Sequence, residues 1–280
     1  MVGTQGELDG RSQDPSPLVL VFGASNVRRG LVSLIKEVNF CCGSSWDLVV
    51  VAGHGRSYGA STSVLGRRLP GIRQAVWRDH FSSHHSARYA LLTDFGNDLF
   101  YGATIFQIQQ WIEECLAILH REKVKLTMTG LPLEAIQSCQ KAKFFLLRTI
   151  FFPKTELNFC DAIRGAERLD EVIRELAETY RASYVQPSLQ WYGVDPIHIR
   201  KGCYANAWSA FLRSDEIEKS AEKSREIDDF RFLLDSRWKS LLISIKLFFI
   251  RAHQQRWLMI DRSMKQPALR IDARRRVWFY

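Results

Sequence analysis

A doubly wound parallel sheet, with helices on both faces, is the architecture this sequence predicts. Three observations carry the expectation. Short apolar, β-prone runs recur at 18–22 (LVLVF), 47–52 (DLVVVA), 89–93 (YALLT) and 124–129 (VKLTMT). Runs of this length and composition suit strands buried on both faces. Between them lie segments whose apolar residues fall at helical spacing, and this strand–helix alternation is the mark of α/β proteins. Polar clusters then follow the first three strands directly: Ser25-Asn26, His54 to Tyr58, and Asn97-Asp98. In open parallel sheets that edge is where ligands bind.

The elements follow in order. After the first strand, Gly23 ends the run, and Leu31, Leu34, Ile35 and Val38 define a helix over about 27–40. The second strand ends in GHGRSYG, and a polar stretch with Leu69, Ile72, Val76 and Trp77 reads as helical. The third strand ends in DFGND. Residues 104–120 form an amphipathic helix with Ile105, Ile108, Ile112, Cys115, Leu116 and Leu119 on one side. The fourth strand ends at Gly130 and Pro132, 166–180 is a charged helix, and 183–185 begins a short fifth strand. Three regions are expected: a disordered N-terminal segment over 1–17, the sheet domain over 18–212, and a basic, aromatic-rich extension over 213–280.

Bulk composition narrows the function. The 280 residues are 46% hydrophobic and 25% charged, enough for one large core. A net charge of +9 raises the question of an anionic partner, but no Lys/Arg cluster sits beside aromatics in a nucleic-acid module, so no nucleic acid is expected. The six cysteines match no C-x-x-C pair or zinc pattern; they read as reduced thiols in a cytoplasmic protein that uses no metal. Residues 1–17 lack the cationic start and apolar run of an export signal. The longest later apolar stretch, 241–250, contains Lys246 and is too short for a membrane span.

Four short segments carry chemistry: GASN at 23–26, GHG at 53–55, GND at 96–98 and DPIH at 195–198. Each alone is a common turn. Together they supply what acyl transfer needs. Ser25 is a hydroxyl nucleophile between a strand and a helix, His198 is a base, and Asp195 is a carboxylate three residues earlier to orient it. Donors for a developing oxyanion come from the Ser25 backbone, a glycine amide and the Asn97 side chain. The glycine is one of Gly53, Gly55 and Gly59; Gly55 is preferred on its distance from the strand end.

This ordered set resembles the SGNH/GDSL hydrolase superfamily, whose four blocks contribute Ser, Gly, Asn and His, with Asp three residues before His. The resemblance covers roughly 18–212. It implies a flavodoxin-like three-layer α/β/α fold and ester hydrolysis without a cofactor. It also implies a triad of Ser25, Asp195 and His198, with Ser25, Gly55 and Asn97 as the oxyanion hole. The implied substrates are small-acyl, lipid or O-acetyl sugar esters. Ala24 stands where the first block usually has Asp, so a local hydrogen-bond partner of the nucleophile loop is missing.

Other readings remain open at this level. GRSYG at 55–59 fits the Gly-x-Ser-x-Gly elbow of α/β-hydrolases, with Ser57 as nucleophile, although only one strand precedes it. A dinucleotide-binding reading of LVFGASNVRRGL lacks the middle glycine and an acidic residue after the second strand. A third reading keeps the fold as a non-catalytic binding module. Asp94 and Asp98 read as turn caps, or one of them as fixing the loop or contacting substrate, and His54 and Arg56 as exposed loop residues or contacts to an anionic substrate group. Residues 230–260 read as a basic amphipathic helix, suited to peripheral membrane contact, to a partner or to packing on the core. The tail 267–280 reads as a hairpin, ALRI then VWFY.

Overall fold

The computed structural model describes residues 15–64, 67–141, 144–145, 148–149, 155, 157–213, 254–257, 260–263 and 265–280. Four apolar runs become the strands β1 (Leu18–Phe22), β2 (Trp46–Val51), β5 (Arg88–Leu92) and β6 (Lys125–Thr129). With β7 (Ser183–Val185) they form a parallel array in the order β2-β1-β5-β6-β7. This is the flavodoxin-like order, and it reverses direction of growth between β1 and β5.

The central strand shows why the run had to be apolar throughout. Val19 and Val21 face one core with Leu34, Ile35 and Trp208, while Leu18, Leu20 and Phe22 face a second core with Ile108, Ile112 and Leu116. Alternate side chains of a strand point to opposite faces, so a strand covered on both sides has no polar positions to spare.

Helices α1 (Ser25–Arg29) and α2 (Leu31–Cys42) cover the first face, joined there by α7 (Tyr204–Leu212). The single helix expected over 27–40 is therefore broken at Gly30. A Cβ on Gly30 would lie 2.4 Å from the Tyr204 ring, and Trp208 Nε1 donates to the Gly30 carbonyl at 3.0 Å. The short helices α3 (Asn97–Phe100) and α5 (Leu133–Gln137) lie between strands, and the second face is packed by α4 (Ile105–Arg121) and α6 (Phe159–Thr179). Helix α4 opens with a reciprocal capping box between Thr104 and Gln107. Helix α6 starts seven residues before the expected position because the Asn158 side chain accepts from the Asp161 amide and caps it.

The stretch around Ile72 and Trp77 forms two 3₁₀ turns, Ile72–Gln74 and Val76–Ser82, rather than an α-helix. Ala75 between the two turns is extended, with a ψ of 155°, and interrupts any continuous helix. A second, four-stranded antiparallel sheet joins β3 (Thr62–Val64) and β4 (Arg67–Leu69) to β8 (Gln254–Trp257) and β9 (Ile260–Ser263). Two parts of the region read as a helix over 230–260 are thus strands. The rest of that stretch, with its proposed membrane or partner contact, lies outside the described residues, as do residues 1–14.

The tail hairpin, β10 (Leu269–Arg270) and β11 (Arg275–Phe279), extends the main sheet to seven strands. Strand β11 pairs parallel with β2, Val277 against Leu48. Its alternation of buried and half-buried residues matches one face on the core and one partly covered. Arg276 fixes the register by a paired contact to the buried Asp47 carboxylate at 2.8 and 2.7 Å. Among the described residues no helix is long and apolar enough to cross a membrane.

Val277 is fully buried in the first core. Val277→Asp places an unpaired carboxylate there and is expected to lower stability by on the order of 4 kcal/mol, read as a shift in urea midpoint. An unchanged midpoint would show that the tail does not belong to the sheet.

Candidate active site

Parallel pairing brings the chemistry to one edge. Phe22 is level with Val51 and Leu92, so β1, β2 and β5 end together. Gly23 N–H donates to the Val51 carbonyl at 3.1 Å, and Thr93 N–H to the Phe22 carbonyl at 2.9 Å. The segments that begin at Gly23, Gly53 and Asp94 therefore leave the sheet side by side, at the point where strand order reverses.

Ser25 begins α1 directly after this exit. Its Oγ lies 2.9 Å from His198 Nε2, and His198 Nδ1 lies 2.6 Å from Asp195 Oδ2. The other Asp195 oxygen accepts the amides of Ile197 at 3.1 Å and His198 at 3.2 Å. The D-P-I-H spacing thus closes a tight turn in which the carboxylate holds both the backbone and the ring. Partial burial of Asp195 works against its charge, but the hydrogen bond and proximity of the His198 ring and the two amides outweigh it. The carboxyl sits below its ordinary value and is ionised at neutral pH.

Asp94 supplies what Ala24 lacks. Its Oδ2 accepts the Ala24 amide at 2.8 Å and the Asn26 amide at 3.1 Å, and its Oδ1 accepts Asn26 Nδ2 at 2.8 Å. The Ser25 amide between them has no partner among the described residues. Asp94 takes a positive φ of 61°, a conformation Asp tolerates better than most residues. Asn26 carries the clamp across to the base: its Nδ2 also donates to the Ile197 carbonyl at 2.9 Å, and its Oδ1 accepts the Ile199 amide at 2.9 Å. These contacts match the loop-fixing reading of Asp94 rather than the turn cap, and sequence reasoning gave Asn26 no role. Their partners lie 68 to 173 residues away, beyond any local pattern.

Of the expected oxyanion donors, Asn97 lines the same cavity as Ser25. Asn97 Nδ2 donates to the Arg56 carbonyl at 3.2 Å, which uses one of its two hydrogens. Gly55 has a φ of +64°, and its carbonyl accepts the Tyr101 hydroxyl at 2.6 Å. A Cβ on Gly53 would meet Leu69 Cδ1 at 2.4 Å, and one on Gly59 would meet the Trp111 ring at 1.8 Å.

Arg56 is buried rather than exposed. Its guanidinium donates to the carbonyls of Pro70 at 3.1 Å, Ala52 at 3.4 Å and Tyr280. Burial pushes its pKa down to about 9, so it stays charged at neutral pH. Ser57 is also fully buried, and its Oγ accepts the amides of Gly59 at 3.0 Å and Ala60 at 2.7 Å. An elbow nucleophile must stand exposed above the sheet, so the Ser57 reading is corrected. Asp98 is likewise interior, its Oδ2 accepting the Tyr58 amide at 2.9 Å while Oδ1 is buried without a partner among the described residues. Burial raises the Asp98 carboxyl to about 6, against the lowering effect of hydrogen bonds from Ser57 and Tyr58. Among the described residues no three His, Cys, Asp or Glu groups gather to hold a metal.

Neither a protein-family model nor a curated protein matches the sequence. Solved structures do. The chain has the SGNH-hydrolase fold, the class that this strand order and this edge define. It is similar to a carbohydrate acetylesterase family member from Sinorhizobium meliloti, with a TM-score of 0.50 and 15% identity over 70% of this chain and 95% of that one. It is also similar to the psychrotrophic esterase EstA from Pseudoalteromonas sp., with a TM-score of 0.44 and 11% identity over 74% of this chain and 95% of that one.

Two outcomes are expected. Asp94→Ala strips three donors of their acceptor and should lower stability by about 3 kcal/mol in urea unfolding; a change below about 0.5 kcal/mol would remove the clamp. The folded state holds the Asp98 proton more tightly than the unfolded chain does. Asp98 therefore favours folding below about pH 4, and that contribution is lost as the pH rises through about 6, a difference on the order of 3 kcal/mol. Asp98→Asn should flatten stability against pH in this window, and an unaltered slope would assign the titration elsewhere.

Proposed function

We propose that this chain is a serine esterase that cleaves carboxylic esters through an acyl-enzyme on Ser25. The observation that carries the reading is the unbroken line Ser25 Oγ–His198 Nε2 at 2.9 Å and His198 Nδ1–Asp195 Oδ2 at 2.6 Å. A nucleophile, a base and a group that orients the base are each within hydrogen-bond reach of the next.

In the forward step His198 Nε2 takes the Ser25 proton as Oγ attacks the ester carbonyl. Asp195 holds Nδ1–H and stabilises the imidazolium. The negative charge on the former carbonyl oxygen is met by the Ser25 amide, the Gly55 amide and the second hydrogen of Asn97 Nδ2. The tetrahedral adduct expels the alcohol, which leaves with the proton from His198. Water then repeats the sequence against the acyl-enzyme: His198 removes a water proton, the carbonyl–Oγ bond breaks, and Ser25 regains its hydrogen. The asymmetry in the supporting hydrogen bonds favours this assignment over that of a binding module. Asp94 holds the amides on both sides of Ser25 and leaves the Ser25 hydroxyl to His198 Nε2. The six cysteines form no disulfide, which supports a reducing compartment, the cytoplasm.

The test is labelling with a fluorophosphonate probe followed by peptide mapping. Label is expected on Ser25, absent in Ser25→Ala and reduced by roughly 10³-fold or more in rate in His198→Ala. Folded protein that takes no label would sink the esterase reading in favour of a binding module.

A further inference from the structure

Residues of α3 and the position just past it hold the loop after β2 at three points. Asn97 Nδ2 donates to the Arg56 carbonyl at 3.2 Å, Asp98 Oδ2 accepts the Tyr58 amide at 2.9 Å, and the Tyr101 hydroxyl donates to the Gly55 carbonyl at 2.6 Å. Asn97 and Tyr101 stand one helical turn apart and take the carbonyls of two successive residues. Tyr101 is the one of the three without a role so far. It follows α3 directly and is 38% exposed. Burial of the rest of the side chain, reinforced by the Asp98 carboxylate, pushes its phenol up to about 12, so the hydroxyl keeps its proton and donates at neutral pH.

The contact fixes more than one carbonyl. The Gly55 carbonyl and the Arg56 N–H belong to a single planar peptide unit. Tyr101 holds its oxygen, and on the other side the Arg56 N–H donates to the Gly53 carbonyl at 3.1 Å. With that unit held from both sides, the direction of the Gly55 N–H is set by the torsions of Gly55 alone. Its φ is +64°, a region glycine enters without steric cost. The same freedom lets the Gly55 amide turn once the hold on its carbonyl is released. That amide has no acceptor among the described residues. It lies one residue from the Arg56 carbonyl that receives Asn97, and Asn97 lines the same cavity as Ser25.

We propose that Tyr101 is a positioning residue, whose hydroxyl aims the Gly55 N–H at the oxygen that becomes negative when Ser25 attacks. The inference rests on the serine-esterase reading and adds a residue to it. Tyr101 acts through the Gly55 peptide and not on the reacting atoms. Losing an oxyanion donor outright lowers kcat by roughly 10²–10³-fold, and a donor left in place but misaimed retains part of its effect. Loss of the hydroxyl should therefore lower kcat by roughly 10- to 100-fold.

The test is full-length Tyr101→Phe, which keeps the ring and removes only the hydroxyl. Its urea midpoint should stay close to that of the unaltered chain, because the side chain is partly exposed and gives up one hydrogen bond. With p-nitrophenyl acetate, kcat and kcat/KM should fall together by that factor while KM stays within about twofold, the pattern of an interaction made only in the transition state. The second readout is inhibition by 2,2,2-trifluoroacetophenone. Ser25 Oγ adds to its carbonyl carbon, the hydroxyl proton passes to His198, and the carbonyl electron pair becomes an oxyanion. The inhibition constant should rise by the same factor as kcat falls. A kcat within twofold of the unaltered chain, with Ser25 still labelled at the same rate, would overturn the proposal and leave the esterase reading intact. A raised KM with unchanged kcat would also overturn it, by making Tyr101 a substrate contact. Absence of both labelling and turnover in the unaltered chain would remove the esterase reading and this inference with it.

Discussion

The carboxylate of Asp94 is the contact on which the site depends. It sits at the end of β5 and accepts the amides of Ala24 and Asn26 at the end of β1. Two neighbouring strand ends are thereby locked across the switch point of the sheet, and the residue between the two captured amides is Ser25. A carboxylate accepting backbone N–H groups makes short, charge-assisted bonds, stronger than neutral ones. The clamp thus holds the Ser25 backbone without using its amide or hydroxyl. Asp94 replaces by tertiary contact the local partner that Ala24 cannot provide.

Asn26 extends the same constraint to the base. Its amide group donates to Asp94 and to the Ile197 carbonyl, and its oxygen accepts the Ile199 amide. The loop carrying Asp195 and His198 is therefore registered against α1 on both sides of His198. Three segments far apart in sequence are held by one buried side chain with all its hydrogen-bonding capacity used. Buried polar groups are favourable only when satisfied in this way. The tail strand adds support from beneath: β11 pairs with β2, and Tyr280 accepts from the buried guanidinium of Arg56, whose carbonyl in turn receives Asn97. The sheet edge that carries Ser25 and Asn97 is thus braced by the tail strand.

Much of this was legible in the residue pattern. Strands β1, β2, β5 and β6 were visible because burial on both faces demands continuous apolar runs. Ser25, Asn97, Asp195 and His198 were visible because each follows a strand or sits in one short loop. Three-residue spacing lets Asp195 reach both the ring and the amide of His198. Other features left no local mark. Gly30 breaks a helix because Tyr204 and Trp208 press on it from 174 residues and more away. Arg56 looks like an exposed loop residue until Pro70 and Tyr280 close over it. Strand β8 pairs with β4 across nearly two hundred residues, which no periodicity records.

By itself the sequence determined the order of strands and helices, the edge of the sheet that bears the chemistry, and the residue types available there. Those properties follow from side-chain period and from the short reach of a turn. Tertiary structure alone decided which strand lies beside which, that Asp94 and Asn26 hold Ser25 against His198, and that Ser57 is interior. These depend on contacts between residues distant in the chain. Such contacts exist only once hydrophobic burial has brought the segments together, and the chain carries no local signal of them.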